Sequence, residues 1–297
     1  MLKYRAISFP ILMGLLWAIF FAPVNIGMWV FTLCAVAAIG VATYECGKMV
    51  DSGLIPCFPK TAGIVSAALV TCTLVPDCLF NSGREAALIN AIVTFAVAFL
   101  LLFTVYLPWL AVVFGGAETA KRGFATLAVV SMTAIPFGML TIFYFPDPKY
   151  LFFIMMVTKS MDTGGYVFGM LSNKLLPGGN HKLCPSISPK KSWEGAAGGV
   201  LLSVLTAWAL YAIFPNWDFS IHLGEKALWK ILVFGALLAV ASIAGDLTES
   251  ALKRKCGVKD SGNIIPGMGG PLDVLDSFIY VAPVCLLYSL VLNLLHL

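Results

Sequence analysis

The sequence predicts an all-α, polytopic integral membrane protein of about nine transmembrane helices, with its N-terminus in the cytoplasm. Three observations carry this expectation. Of the 297 residues, 60% are apolar and only 11% are charged, against roughly a quarter charged in a soluble domain, and the mean hydropathy is +0.92. Apolar runs close to the ~20 residues needed to cross a bilayer recur from end to end. The basic residues then gather on alternate loops, as the positive-inside rule requires.

Lys3 and Arg5 precede the first apolar stretch, an arrangement that imitates a secretory signal. No small-residue cleavage pattern follows, so it is read as a retained first span over 7–22. The next spans are 27–44, 62–80, 87–114, 124–145, 150–171, 194–214, 228–247 and 274–295. The fourth is long and holds Pro108, which predicts a tilt or kink. Alternating sides from a cytoplasmic start, the inner segments collect Lys3, Arg5, Lys48, Lys60, Lys121, Arg122, Lys174, Lys182, Lys190, Lys191, Lys253, Arg254, Lys255 and Lys259. The outer loops receive only Arg84, Lys149 and Lys226, while Lys159 and Lys230 lie in spans or at their edges. This asymmetry puts both long polar loops, 172–193 and 248–273, on the cytoplasmic side of an inner membrane. Residues 1–145 form an N-terminal set of helices and 146–297 a C-terminal set with the cytoplasmic loops, together one membrane domain without an evident repeat. The eight cysteines show no C-x-x-C pair and no zinc spacing, so a disulfide framework is not expected. The net charge of +4 is modest, and no nucleic-acid partner is expected.

Charges inside a span are rare and usually face an internal cavity. Asp162 lies in the sixth span, three residues after Lys159, and Asp246 closes the eighth with Glu249 and Ser250 on its helical face. An ion pair that only positions helices is the competing account of Asp162. In Asp162-Thr163-Gly164-Gly165-Tyr166 two glycines beside an acid predict a broken span, and broken helices at membrane depth line cavities. Downstream, Lys253, Arg254, Lys255 and Lys259 lie within seven positions, followed by Asp260-Ser261-Gly262 and a Pro/Gly-rich loop. Asp273 and Asp276 then stand three apart on one helical face, suited to a hard divalent cation that takes carboxylates plus substrate phosphates. A basic patch on anionic headgroups with acids capping the last helix is the plainer alternative. The other long loop carries Ser188-Pro189-Lys190-Lys191-Ser192-Trp193-Glu194-Gly195; there the lysines also serve as topology markers and Trp193 as an interfacial anchor. Carboxylates with lysines around them suit phosphoryl or nucleotidyl transfer, which rests on positioning and charge neutralisation. No G-x-S-x-G is present, and His181, His222 and His296 show no evident partner, which speaks against acyl transfer.

The run from Ser250 to Asp276, S-x-L-K-R-x4-K-D-S-G-x-x-x-P-G-x-G-G-x-x-D-x-x-D, resembles the signature of phosphatidate cytidylyltransferases (CDP-diacylglycerol synthases). Gly245-Asp246-Leu247-x-Glu249-Ser250, Asp162-x-x-Gly165-Tyr166 and the 188–195 motif match the same family, so that the resemblance covers about residues 150–280. It implies that CTP and phosphatidate, in the membrane lipid, give CDP-diacylglycerol and pyrophosphate with Mg²⁺ and room for a second cation such as K⁺. Carried over residue by residue, it assigns Asp246, Asp273, Lys253, Arg254, Lys259 and Asp260 to catalysis. Ser188, Lys190, Lys191, Ser192 and Glu194 would contact CTP and its phosphates, and Asp246, Asp273, Asp276 and Asp162 would hold the metal. A homodimer is left open. Two positions depart: Met268 stands where the family has histidine before Gly-Gly, and Val274 where it has arginine. A polyprenol kinase or CDP-archaeol-type synthase is the nearest alternative. A secondary transporter is the alternative from another class, and it predicts paired repeats that are not evident.

Overall fold

Runs this apolar fold as helices because a lipid-embedded backbone must satisfy its own hydrogen bonds. The computed structural model describes residues 14–80, 116–144, 147–177, 179–214, 217, 228–265 and 269–294. After a helical stretch over 14–21 come α1 (Val24–Gly53), α2 (Pro59–Phe80), α3 (Ala117–Ile142) and α4 (Pro148–Leu175). A short hairpin of β1 (Lys182–Cys184) and β2 (Ser188–Ser192) follows. The chain continues through α5 (Trp193–Ile213), α6 (Leu228–Lys255), the single turn α7 (Pro271–Leu275) and α8 (Phe278–Leu294). Among the described residues, five stretches are long and apolar enough to cross a membrane: Asn25–Gly53, Glu118–Thr141, Trp193–Ile213, Leu228–Lys255 and Pro271–Leu292. The chain is thus a helical membrane protein. The expected span 87–114, with its Pro108, lies outside the described residues, as does the 7–13 part of the first span.

Two compact units make up the chain, one of residues Met1–Pro148 with Lys253–Leu275 and the other of Lys149–Leu252 with Asp276–Leu297. In the first, α1, α2 and α3 pack through small residues, which let apolar helices approach closely. A Cβ at Gly40 would stand 3.1 Å from that of Ala67, and one at Gly63 only 2.9 Å from the Gly40 carbonyl. Thr43 Oγ1 and Thr133 Oγ1 meet at 2.9 Å, buried between α1 and α3. Phe31 stacks on Tyr144 with ring centroids 3.8 Å apart.

The second unit has an aromatic core in which Phe234 of α6 stacks with Tyr150, Phe153 and Tyr288. Ser203 of α5 donates to the Val157 carbonyl of α4 at 3.0 Å. Here the expected break at Gly164-Gly165 does not occur, because α4 runs unbroken from Pro148 to Leu175. The two glycines serve packing instead: a Cβ at Gly164 would lie 2.8 Å from the Gly199 Cα, and one at Gly195 only 2.7 Å from the Gly165 carbonyl. Glycines on both helices bring α4 and α5 together backbone to backbone. The segment expected as a loop over 172–193 is also different, since most of it is the helix end and the hairpin. Lys182 pairs with Ser192 and Cys184 with Ser188, which satisfies the backbone of a short crossing between two long helices.

Candidate active site

Ser192 ends β2 and opens α5. It is the helix N-cap, its hydroxyl accepting the Gly195 N–H at 3.1 Å, as serine does for the orphan donors of a first turn. Glu194, in that turn, accepts from the His181 backbone N–H through both oxygens at 3.2 Å and stands 2.6 Å from His181 Nδ1. His181 therefore has a partner, contrary to the sequence expectation, and Glu194 ties the start of β1 to the start of α5. With both ends pinned, the hairpin holds Lys190 and Lys191 over a cleft of about 320 Å³, at the lower end of ligand-pocket volumes.

Ser188, Lys190, Lys191 and Ser192 line this cleft together with Asp162 and Tyr166 of α4 and Asp246 of α6. Six of the expected site residues thus share one cavity. Lys191 Nζ lies 2.5 Å from Asp246 Oδ2, and the Ser250 hydroxyl donates to Asp246 Oδ1 at 3.3 Å. Lys159 pairs with Asp162 at 3.0 Å, so the ion pair considered from spacing exists, yet Asp162 still faces the cleft. Ser277, which sequence reasoning passed over, links the carboxylates. Its hydroxyl bonds Asp162 Oδ2 at 3.2 Å and Asp276 Oδ1 at 3.0 Å and receives the Lys159 ammonium at 3.3 Å. Asp246 and Asp162 both act on the buried Asp276 as like charges, and Lys159 offsets them. Gly245 makes this convergence possible: a Cβ there would sit 2.5 Å from the Asp276 carbonyl.

The first unit holds the other group of expected residues. Gly270-Pro271-Leu272-Asp273 is the start of α7, with proline at the first helical position, where its missing N–H costs nothing. Asp273, at the third, reaches back to accept the Gly270 N–H at 2.8 Å, one half of a capping box. The same carboxylate accepts from Lys253 Nζ at 2.8 Å and from the backbone and hydroxyl of Ser261 at 2.9 and 2.8 Å. Asp273 is therefore fully bonded within its own unit. Arg254, Lys259 and Asp260 are exposed; Arg254 donates to the Val258 carbonyl at 3.3 Å. Val274 is half-buried, and Met268 lies outside the described residues.

Sequence reasoning missed Glu45 altogether. The expected span 27–44 stopped one residue short of it, and α1 in fact runs to Gly53. Glu45 is 3% exposed, and it accepts from the Leu272 N–H at 3.2 Å and the Ser261 hydroxyl at 3.3 Å. The usable signal was an acid inside a largely apolar run, one helical turn before Lys48.

Hard carboxylate oxygens beside lysines fit a divalent cation that shares its coordination with substrate phosphates. Among the described residues no three acid, histidine or cysteine side chains converge as a ready metal cage.

A family model described as "Cytidylyltransferase family" matches residues 4–292. Relatives named phosphatidate cytidylyltransferase include one from Staphylococcus saprophyticus, 44% identical over 134 residues, which are 45% of this chain and 46% of the relative. One from Staphylococcus epidermidis is 40% identical over 135 residues, 46% of each chain, and one from Staphylococcus haemolyticus is 40% identical over 134 residues. The matched segment thus spans a little under half the length of these relatives.

Proposed function

The chain belongs to the cytidylyltransferase family, and from that we propose that it transfers the cytidylyl group of CTP to phosphatidate, giving CDP-diacylglycerol and pyrophosphate. The observation that carries the reading is the single cleft in which Lys190 and Lys191 face Asp246 and Asp162. Lysines lining a cleft suit a triphosphate, and carboxylates sharing it suit the metal that accompanies one.

A phosphatidate oxygen attacks the α-phosphorus of CTP, a new P–O bond forms, and the bond from that phosphorus to the bridging oxygen breaks to release pyrophosphate. Both reactants are anions, so the protein must hold them together against repulsion. Lys190 and Lys191 neutralise the triphosphate, and Lys191 is already drawn toward the carboxylates by Asp246. Ser188 and Ser192 offer hydroxyls along the same wall, although Ser192 is also committed to capping α5. Asp246 and Asp162, with Asp276 behind them, would hold Mg²⁺. Bound there, it would neutralise charge that develops on the phosphate oxygens. Lys253 and Asp273 serve the same reaction from the 253–275 segment, Asp273 by fixing Lys253 and Ser261.

The topology that goes with this reading is nine spans, a cytoplasmic N-terminus and a cleft opening to the cytoplasm, supported by the segregation of basic residues. The deciding experiment uses protein purified in detergent with CTP labelled in its cytidine, phosphatidate and Mg²⁺. Label should move into the lipid fraction only when phosphatidate is present. Label left in free CDP beside a newly phosphorylated lipid would make the protein a CTP-dependent kinase and overturn the proposal.

A further inference from the structure

Glu45 stands apart from every motif, yet the 253–275 segment is built around it. Its Oε2 accepts from the Ser261 hydroxyl and the Leu272 N–H, while Oε1 is buried with no hydrogen-bond partner among the described residues. Two glycines of the segment make room for the carboxylate. A Cβ at Gly262 would fall 2.0 Å from Oε1, and one at Gly270 would fall 2.1 Å from Oε2, so a methyl group at either position would push the carboxylate from its place. Ser261 and Gly270 are also the residues whose N–H groups bind Asp273. One acid on α1 thus determines where both ends of the glycine-rich stretch lie, and through them how Asp273 and its partner Lys253 are held.

We propose that Glu45 is a positioning residue for this reaction: its carboxylate anchors the Ser261–Leu272 segment and so fixes Asp273 and Lys253. The assignment rests on the transfer reaction proposed above for its effect on turnover, but not for the anchoring itself. The role is hydrogen-bond acceptance at a defined point, which an apolar side chain of similar size cannot supply. Leucine and glutamine therefore separate anchoring from space filling.

The test compares Glu45→Leu, Glu45→Gln and Gly262→Ala in the full-length protein, using steady-state kinetics and amide hydrogen exchange. Glu45→Leu should lower kcat at least tenfold, and Glu45→Gln should recover most of that loss. Exchange at the Leu272 and Ser261 amides should quicken in the leucine variant and stay slow in the glutamine one. Gly262→Ala should reproduce the leucine phenotype, because its methyl group displaces the carboxylate. Leucine as active as glutamine, or unchanged exchange in Glu45→Leu, would overturn the assignment. Absence of CDP-lipid with the unsubstituted protein would sink the transfer reaction alone, because the exchange comparison needs no turnover.

Discussion

Asp246 and Asp273 look equivalent in the sequence, since each is an acid where an apolar run meets a polar loop, but their surroundings differ. Asp246 faces a cleft with one lysine against it, whereas Asp273 is saturated by Lys253, Ser261 and Gly270. Replacing either with asparagine keeps the shape and removes the charge. Asp246→Asn should therefore fold normally and lose about two orders of magnitude in turnover, about 2.7 kcal/mol of transition-state stabilisation, as measured by labelled CTP conversion. Asp273→Asn should lose activity too, but with faster exchange at the Ser261 and Gly270 amides, because a neutral amide holds those donors and Lys253 less well. Native exchange in Asp273→Asn would show that its bonds do not hold the loop. Lys191→Ala should raise the KM for CTP by roughly tenfold, and a normal KM would return Lys191 to the role of topology marker. Residue identities were legible where chemistry needs a charge within an apolar stretch, as at Asp162 and Asp246. Glu45 and Ser277 were not, because their meaning lies in contacts with residues more than a hundred positions away.

At the scale of elements, the long apolar runs translate directly into helices because nothing else is stable in lipid. The hairpin did not show itself in the sequence. Ser188-Pro189-Lys190-Lys191-Ser192 has neither an apolar alternation nor a strong turn dipeptide, and β1 contributes only three residues. What creates the hairpin is Glu194 bonding back to His181 across the turn. Gly164-Gly165 was misread for a related reason. Within one helix a glycine pair weakens the structure, but facing Gly195 and Gly199 of a neighbour it permits contact that any side chain would block. Gly164→Ala tests this, since the added methyl meets the Gly199 backbone and not a flexible side-chain end. It should cost about 1–3 kcal/mol, the usual range for overpacking, and appear as a lower unfolding temperature in detergent. A variant as stable as the parent would mean that α4 and α5 can separate without penalty.

At the scale of the whole molecule, the proposed use of CTP from the cytoplasm depends on orientation, and cysteine accessibility measures that directly. Two native thiols of the polar segments, Cys256 and Cys57, are buried and so poor reporters. Cys256 is 9% exposed against Gly53, and burial pushes its pKa up. Cys57 is raised to about 11 by burial and by the neighbouring Asp51. A thiol reacts as its thiolate, so at neutral pH both stay largely unreactive whichever face of the membrane they occupy, and their silence would say nothing about sidedness. Lys259 is exposed and carries one of the charges that set the predicted orientation, so Lys259→Cys supplies an accessible thiol on the same segment. Lys226, assigned to the outer side by charge alternation, supplies the counterpart as Lys226→Cys. A membrane-impermeant maleimide added to intact cells should label Lys226→Cys and spare Lys259→Cys. Inverted membrane vesicles should give the reverse pattern. Removing one positive charge from a loop that still holds Lys253, Arg254 and Lys255 leaves the bias intact, so the substitution does not itself reverse the topology. Labelling of Lys259→Cys from outside intact cells would put the 253–275 segment on the wrong side for cytoplasmic CTP, and the cytidylyl-transfer reading would fall with it.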